Sequence, residues 1–405
     1  MVGNKKNILY VSNVCEPILF DDIFIKSNIK PGQAAQKFQY LLLEGFSKQE
    51  EISEIKTLSI LPTSESIYNR IFWNEKSVVH GRIQFSYVPF VKIQLLKDLV
   101  VLIYTFFKVF RSNFKSSQSE KIVIANVLNL VVSVASITAC RLSKTKCIAL
   151  VTDLPTFMNP VDGGRLQLKF KFYKLLANYF INKYDGYVFL TEQMNDVVNP
   201  KGRPHLIMEG LVDINMQEVA SSFSKEKRVI LYAGALYEKY GVKNLIDAFC
   251  RIVDDSIELH LYGVGDMSDQ LPQYQKRDAR IKYFGVVPNA QVVKALSEAT
   301  LLINPRPTHE EFTKYSFPSK NVEYMVSGTP LVCTNLPGMP LEYHEYIYVL
   351  TKDDSLTIEL KLKELLSLST QELQEKGNIA KQFVLKEKSN INQTKRISNF
   401  INSII

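Results

Sequence analysis

Short runs of apolar, largely β-branched residues set the strongest constraint on this chain. They fall at residues 8–11, 122–125, 147–152, 186–190 and 205–208. Each is too short for a buried helix and too uniformly apolar for a strand with one wet face. That is the pattern of strands covered on both faces of a parallel sheet. Segments of helical periodicity separate them, at 33–48, 90–110, 128–142 and 166–182. Parallel neighbours need a long crossover, which a helix supplies, so the alternation predicts a doubly wound α/β layer.

The alternation then restarts. Strands are expected at 228–233, 257–262, 281–284, 301–304 and 330–333, with helices at 242–253, 290–299 and 321–327. The stretch 353–388 reads as mostly helical, and 390–405 as a last amphipathic helix. Between the two series lies QEVASSFSKEK, 217–227, polar enough for a linker. A chain of 405 residues suits about two domains. With 22% charged and 46% hydrophobic residues, disorder, collagen and coiled coil are excluded as descriptions of the whole. The expectation is an α/β protein of two Rossmann-like doubly wound domains facing a cleft. The first spans 1–216 and the second 217–389, and the helix 390–405 packs back on the first.

Charge is unevenly spread. The chain carries a net +8, yet residues 82–183 hold fifteen basic and four acidic side chains, a net of about +11. Within that stretch Lys92, Lys97, Lys108, Arg111 and Lys115 interleave with Phe90, Leu95, Leu99, Ile103, Phe106 and Phe110. A basic, aromatic-rich helix suits peripheral contact with an anionic membrane; it equally suits a core helix with a solvated rim. No RNP-like, KH or zinc-finger pattern supports nucleic acid. Residues 122–140 lack charge, but Asn126, Asn129, Ser133, Ser136 and Thr138 interrupt them, so a strand, turn and helix explain them better than a span. Cys15, Cys140, Cys147, Cys250 and Cys333 form no CxxC pair and read as reduced thiols. The opening MVGNKKNILYVSNV reads as a first buried strand rather than a signal segment, and the expected location is cytoplasmic, peripheral at the inner membrane face.

The strongest chemical signal is NPRPTHEEFTKYSFPSKNVEYMVSGTPLVCTNLP, 304–337. A strand ends at Asn304, a polar loop follows, and a helix opens at FPSK. In open α/β sheets ligands lie beyond the carboxyl ends of strands. Helix N-termini bind phosphate through free N–H groups and the dipole, and Pro318 and Ser319 suit a helix start. Lys320 adds a cation there, and Glu323 can accept hydrogen bonds from two adjacent hydroxyls. No DxD pair follows a strand, and the five histidines are scattered, so no metal is expected. No GxSxG elbow and no GxGxxG after the first strand points to hydrolysis or nicotinamide chemistry.

Over about 228–348 the chain resembles the nucleotide-sugar domain of GT-B glycosyltransferases of family 4, with FPSKNVEYMVSGTPLV matching the family's signature helix. The resemblance implies a retaining transferase acting on a nucleoside-diphosphate sugar, UDP-linked in the first instance, with no resident cofactor. The family has two glutamates with seven residues between them, of which the second binds the donor ribose; Glu323 takes that place. The first would fall at 315, where this chain has Tyr315, and Glu310 or Glu311 can stand in for it. That variant resembles a branch associated with capsular and exopolysaccharide assembly. YAGALYEKYGVKNLIDAF resembles the turn and helix that open the domain, with Gly234 letting the backbone approach the diphosphate. Ala235 and Tyr240 stand where the family has arginine and lysine, so Lys239, Arg306 or Lys320 supplies the charge. LYGVGD places Gly263 and Gly265, and YFGVVPN places Phe284 and Gly285, near the base.

In the first half KPGQAAQKFQYLL resembles the family's first loop and helix, its paired glycines reduced to Gly32. VTDLP puts Asp153 at a strand end as the acceptor-side polar residue, with a loop-capping role as its alternative. Thr191 and Glu209 also end strands. The implied acceptor is a glycan or a polyprenyl-diphosphate-linked sugar. Closure of the two domains is expected to bring donor and acceptor together. Two other readings stay open, a nucleotide-sugar epimerase on the same scaffold and a non-catalytic partner subunit.

Overall fold

A computed structural model describes residues 5–27, 30–62, 72–114, 119–154, 175–218 and 228–405. The chain forms two compact units, Met1–Glu209 with Asn390–Ile405, and Gly210–Ser389. The expected helix at 166–182 is described only from 175 onward, and most of the polar stretch 217–227 and Lys115 lie outside the described residues.

The first unit is built on β1 (Lys6–Ser12), β2 (Ile52–Ser59), β4 (Val78–His80), β5 (Ile83–Phe85), β7 (Glu120–Asn126), β8 (Lys146–Val151), β9 (Gly186–Phe189) and β10 (His205–Ile207). Among the described residues these form one sheet in the order β10-β9-β8-β7-β1-β2-β5-β4. Every pairing is parallel except β4 with β5. A separate antiparallel pair joins β3 (Phe72–Trp73) to β6 (Phe90–Val91). The strand order reverses between β1 and β7. Ile8, opposite Ile55 on one side and Ile122 on the other, is buried, as strands covered on both faces require.

Strand β2 was not among the expected runs. Its sequence ISEIKTLS spaces its apolar residues three apart, at Ile52, Ile55 and Leu58, rather than running apolar, and Glu54 and Lys56 pair at its half-exposed surface, 2.5 Å apart. The helices are α1 (Pro17–Lys26), α2 (Gln33–Ser47), α3 (Gln94–Phe114), α4 (Leu130–Ser143), α5 over the described residues 175–181, and α6 (Glu192–Val198). Helix α3 starts four residues later than expected, because 90–91 pair as β6. The uncharged stretch divides into β7 and α4, with Asn129 capping α4 by accepting from Val132 N–H. Among the described residues no helix is long and apolar enough to cross a membrane.

The second unit holds β11 (Arg228–Ala233), β12 (Ile257–Tyr262), β13 (Ile281–Gly285), β14 (Leu301–Asn304), β15 (Leu331–Thr334) and β16 (Tyr348–Leu350). They lie all parallel in the order β13-β12-β11-β14-β15-β16. The reversal therefore falls between β11 and β14. Its helices are α7 (Val242–Cys250), α8 (Leu271–Arg277), α9 (Asn289–Glu298), α10 (Ser319–Val326), α11 (Ser355–Leu366) and α12 (Thr370–Glu387). Ile230, Leu259, Leu301 and Val332 from the sheet pack with Leu245, Phe249, Ile358 and Leu362 in one core. The helical stretch breaks at Ser369, whose hydroxyl accepts from Glu372 N–H while Glu372 caps back onto Ser369. Both units are thus Rossmann-like α/β layers.

Helix α13 (Asn390–Ile404) belongs to the first unit. Asn390 Nδ2 donates to Glu44 Oε2 at 3.2 Å, and Ser398 donates to Gln49 at 2.6 Å. The two backbones meet at Gly45, where a Cβ would lie 2.3 Å from the Asn390 carbonyl oxygen. Gly45→Ala is therefore expected to destabilise the first unit by about 1–3 kcal/mol. Urea unfolding checks this, and an unchanged midpoint would show that α13 does not seat closely on α2.

Candidate functional site

Three backbone segments converge at the carboxyl edge of the second sheet, and glycine makes the convergence possible. Gly234 follows β11, Gly263 follows β12, and Gly241 opens α7. A Cβ on Gly263 would stand 1.9 Å from the Gly234 carbonyl oxygen, and one on Gly241 would stand 2.0 Å from that of Pro305. Their φ values of 120° and 81° also lie where side chains are strained. Gly265 approaches Leu236 O as closely, at 2.2 Å. The loops after β11, β12 and β14 are thereby gathered at the reversal of strand order, where ligands of open α/β sheets bind.

Gly234 leaves its space to Lys320. A Cβ there would fall 1.7 Å from Lys320 Nζ. The ammonium donates to Tyr232 Oη at 3.1 Å and lies 4.6 Å from the centre of that ring. Tyr232 in turn donates to Ala235 O at 2.9 Å. Burial, and then the Arg306 charge, hold the Lys320 pKa down at about 8, with Glu323 opposing them. Helix α10 carries Lys320 and Glu323 one turn apart. Two buried side chains fix it: Asn321 accepts from Asn304 at 2.8 Å, and Tyr324 Oη both accepts from Ala233 N–H at 2.7 Å and donates to Ala233 O at 2.8 Å.

Arg306 completes the cationic side. Its guanidinium carbon lies 5.0 Å from the Tyr240 ring and 4.6 Å from the Phe312 ring. Lys239 Nζ stands 5.5 Å from both the Tyr237 and Tyr240 rings. Flat guanidinium faces suit aromatic faces. The loop that carries Arg306 is anchored where Thr308 N–H donates to Asp353 at 2.8 Å.

Of the residues singled out in the sequence, Gly234, Lys239, Gly263, Gly265, Arg306, Lys320 and Glu323 thus come together. Ser319 is exposed at the first turn of α10. Glu311 is exposed at the head of a short turn, and its neighbour Phe312 is the residue on Arg306. Phe284 lies one strand further out, stacked on Tyr262 with ring centres 4.6 Å apart and 5.0 Å from His260. Gly285 O accepts from Gly263 N–H at 2.7 Å and ties that edge to the rest. Asp153 lies in the first unit, where its carboxylate accepts from Leu154 N–H at 2.8 Å. Thr191 is buried ahead of α6, and Glu209 ends the first unit, buried, with a φ of 67°. Pro155 lies outside the described residues.

Sequence reasoning missed Tyr232, Tyr240 as a stacking partner, Phe312, Asn321 and Tyr324. An aromatic beside a cation is too common in sequence to stand out. In the first unit it also missed a polar cluster beyond β1, beside that sheet's own reversal. Gln36 accepts from Cys15 N–H at 2.8 Å and donates to Asn13 O at 2.7 Å, while Gln39 donates to Asn13 Oδ1 at 2.7 Å. The buried Glu16 carboxylate accepts from Leu19 N–H at 2.9 Å and lies 3.0 Å from His80 Nδ1.

Residues 227–367 match the family model described as Glycosyl transferases group 1. No curated protein matches the chain at a significant level. Solved structures resemble it along nearly its whole length. Sucrose-phosphate synthase from Thermosynechococcus elongatus superposes with a TM-score of 0.68 at 11% identity, over 98% of this chain and 99% of its own. The lipopolysaccharide outer core galactosyltransferase WaaB gives 0.65 at 14% identity, over 99% and 100%. HepE of Anabaena, in complex with UDP, gives 0.63 at 14% identity, over 98% and 100%. At such identities the likeness carries the fold, which is that of the GT-B glycosyltransferases.

The Lys320 environment makes a direct prediction. Its ammonium should titrate near pH 8 in the folded chain, against an ordinary value of 10.5, as read by the ¹³Cε resonance of labelled lysine. Between those values the unfolded chain holds a proton that the folded unit has lost. Stability contributed by this group therefore rises with pH across that window. Arg306→Gln should lift the midpoint by removing the like charge. A midpoint at 10.5 in the unaltered protein would place the ammonium in water.

Proposed function

We propose that this chain is a retaining glycosyltransferase. It takes a sugar from a nucleoside diphosphate, UDP in the first instance, and passes it to a glycan or polyprenyl-diphosphate-linked acceptor in building a capsular or exopolysaccharide-type polymer. The observation that carries the reading is the gathering of Lys320, Arg306 and Glu323 around Gly234 at the switch point of the second sheet. The match of residues 227–367 to glycosyl transferases group 1 supports it. The uracil assignment leans on a similar fold solved with UDP.

In this reading the diphosphate lies beside Gly234, against the Lys320 ammonium that fills the space a β-carbon there would take and against the Arg306 guanidinium. Glu323 accepts hydrogen bonds from the two ribose hydroxyls, and the Phe284 face receives the base. Lys239, Ser319, Gly263 and Gly265 line the same edge. Transfer breaks the bond between the anomeric carbon and the diphosphate oxygen and forms one to the acceptor oxygen. The acceptor proton passes to the departing diphosphate, so no protein nucleophile is required. What the protein supplies is position and positive charge against the charge that grows on the leaving group. A diphosphate beside Lys320 offsets its burial and keeps it protonated at neutral pH. Glu311 is assigned to the donor sugar, in place of the glutamate absent at Tyr315. Asp153 and the Asn13, Gln36 and Glu16 cluster are assigned to the acceptor. The chain is further read as peripheral to the inner face of an anionic membrane through 82–183.

Tyr315, Ala235 and Tyr240 favour one rival, a partner subunit that keeps the fold without the chemistry. Thermal shift separates them, since a ligand at 100 times its dissociation constant stabilises by about 2.7 kcal/mol. No shift with any nucleoside diphosphate would favour the rival. An epimerase would convert UDP-GlcNAc without an acceptor, and a transferase would not. Glu323→Ala should weaken UDP binding by tenfold or more in calorimetry while the melting temperature of the free protein stays unchanged. Undiminished affinity would remove Glu323 from the site. Arg306→Ala should lower kcat by roughly 10²-fold or more, in line with loss of one preorganised electrostatic group.

A further inference from the structure

Helix α3 has two apolar faces, and only one of them is covered. Val101, Thr105 and Val109 recur at four-residue intervals and are buried; α3 packs chiefly against α4. A second row, Leu96, Leu99, Ile103 and Phe107, is 43–52% exposed, and Ile93 just before the helix is 59% exposed. A surface helix ordinarily turns polar residues to water, so a four-member apolar row in solvent calls for an occupant. The stacked ring of Phe106 on Phe110, 5.7 Å between centres, widens the apolar surface beside this row.

Charge selects the occupant. By the 3.6-residue geometry Lys97, Lys108 and Arg111 follow one flank of the row, and Lys92 precedes it. Asp98 is the one acidic residue in the helix. A second copy of this chain would bring the same positive charge to the contact. A surface that is apolar just below and negative at its rim complements both features, and that is an anionic bilayer. Because no described helix is built to span, the fit is that of a helix lying in the interface.

We infer that the Leu96, Leu99, Ile103 and Phe107 face of α3 is the docking surface of this chain on an anionic membrane, the helix lying in the plane of the headgroups. This deepens the reading of the chain as a transferase working at a membrane, and names the surface. It differs from the row expected from the sequence alone: Ile103 and Leu99 are kept, while Leu96 and Phe107 enter.

The test uses the full chain in sedimentation with vesicles of phosphatidylcholine alone or with 30% phosphatidylglycerol. The unaltered protein is expected to partition at least tenfold more strongly onto the anionic vesicles, and less so at high salt. Leu99→Ser with Ile103→Ser and Phe107→Ser should reduce that partition at least tenfold. Lys97→Glu with Lys108→Glu should do the same while leaving the apolar row intact. Both variants should keep the UDP-induced thermal shift of the parent, which shows that they fold and separates this inference from the transferase reading. Loss of the UDP shift in all proteins with vesicle binding retained would sink the transferase reading and leave the surface standing. Equal binding to neutral vesicles, undiminished binding by the serine variant, or no binding by the parent would overturn the inference. So would a concentration-dependent dimer that the serine variant dissolves, since the occupant would then be a second copy.

Discussion

The candidate site of the second unit rests on backbone approaches that only glycine permits, at Gly263 against the Gly234 carbonyl and at Gly241 against that of Pro305, with the Lys320 ammonium set beside Gly234. A lysine taken out of water must find compensation, or its proton affinity falls. Here a phenol, an aromatic face and a carboxylate one turn away supply part of it, and the pKa settles at about 8. The lowered pKa marks a cation whose burial is only partly offset, set beside the Gly234 backbone. An anion placed there would satisfy it. A site that is costly when empty and satisfied when filled is preorganised, and electrostatic preorganisation is what a reaction with a diphosphate leaving group needs.

Sheet topology makes the approach possible. Because the strand order reverses between β11 and β14, the segments leaving those two strands go to opposite sides and leave a crevice at their ends. Three glycines then let the segments after β11, β12 and β14 touch backbone to backbone. The buried Asn304 to Asn321 bond and the paired bonds of Tyr324 with Ala233 lock α10 to the ends of β14 and β11. Lys320 and Glu323 ride on a helix anchored to two strand ends, so the scaffold sets where their side chains start from.

The positions at which the chain departs from the pattern it resembles have a definite structural setting. Tyr240 stands where a lysine is usual, yet its ring lies against the Arg306 guanidinium, with Phe312 on the same group. Arg306, on the loop after a different strand, is a cation that this aromatic touches. Arginine tolerates this arrangement because its cation is flat and loosely hydrated.

The sequence by itself determined the layering. Uniform apolar runs between helical periods admit little besides parallel strands with crossovers. The FPSK start, Glu323 and the glycines after β11 and β12 marked the candidate edge, because helix starts and tight turns have local signatures. Strand β2 escaped because its apolar residues Ile52, Ile55 and Leu58 fall three apart, off the strand period, while polar Thr57 and Ser59 are buried there. Only the tertiary structure decided which cations share a site, since Lys239, Arg306 and Lys320 are spread over 81 residues of sequence and surface lysines carry no local mark. It alone placed the rings of Tyr232, Tyr240 and Phe312, and it alone separated the two apolar faces of α3. Local interactions write themselves into periodicity and spacing; burial and long-range electrostatics depend on what the rest of the chain brings alongside.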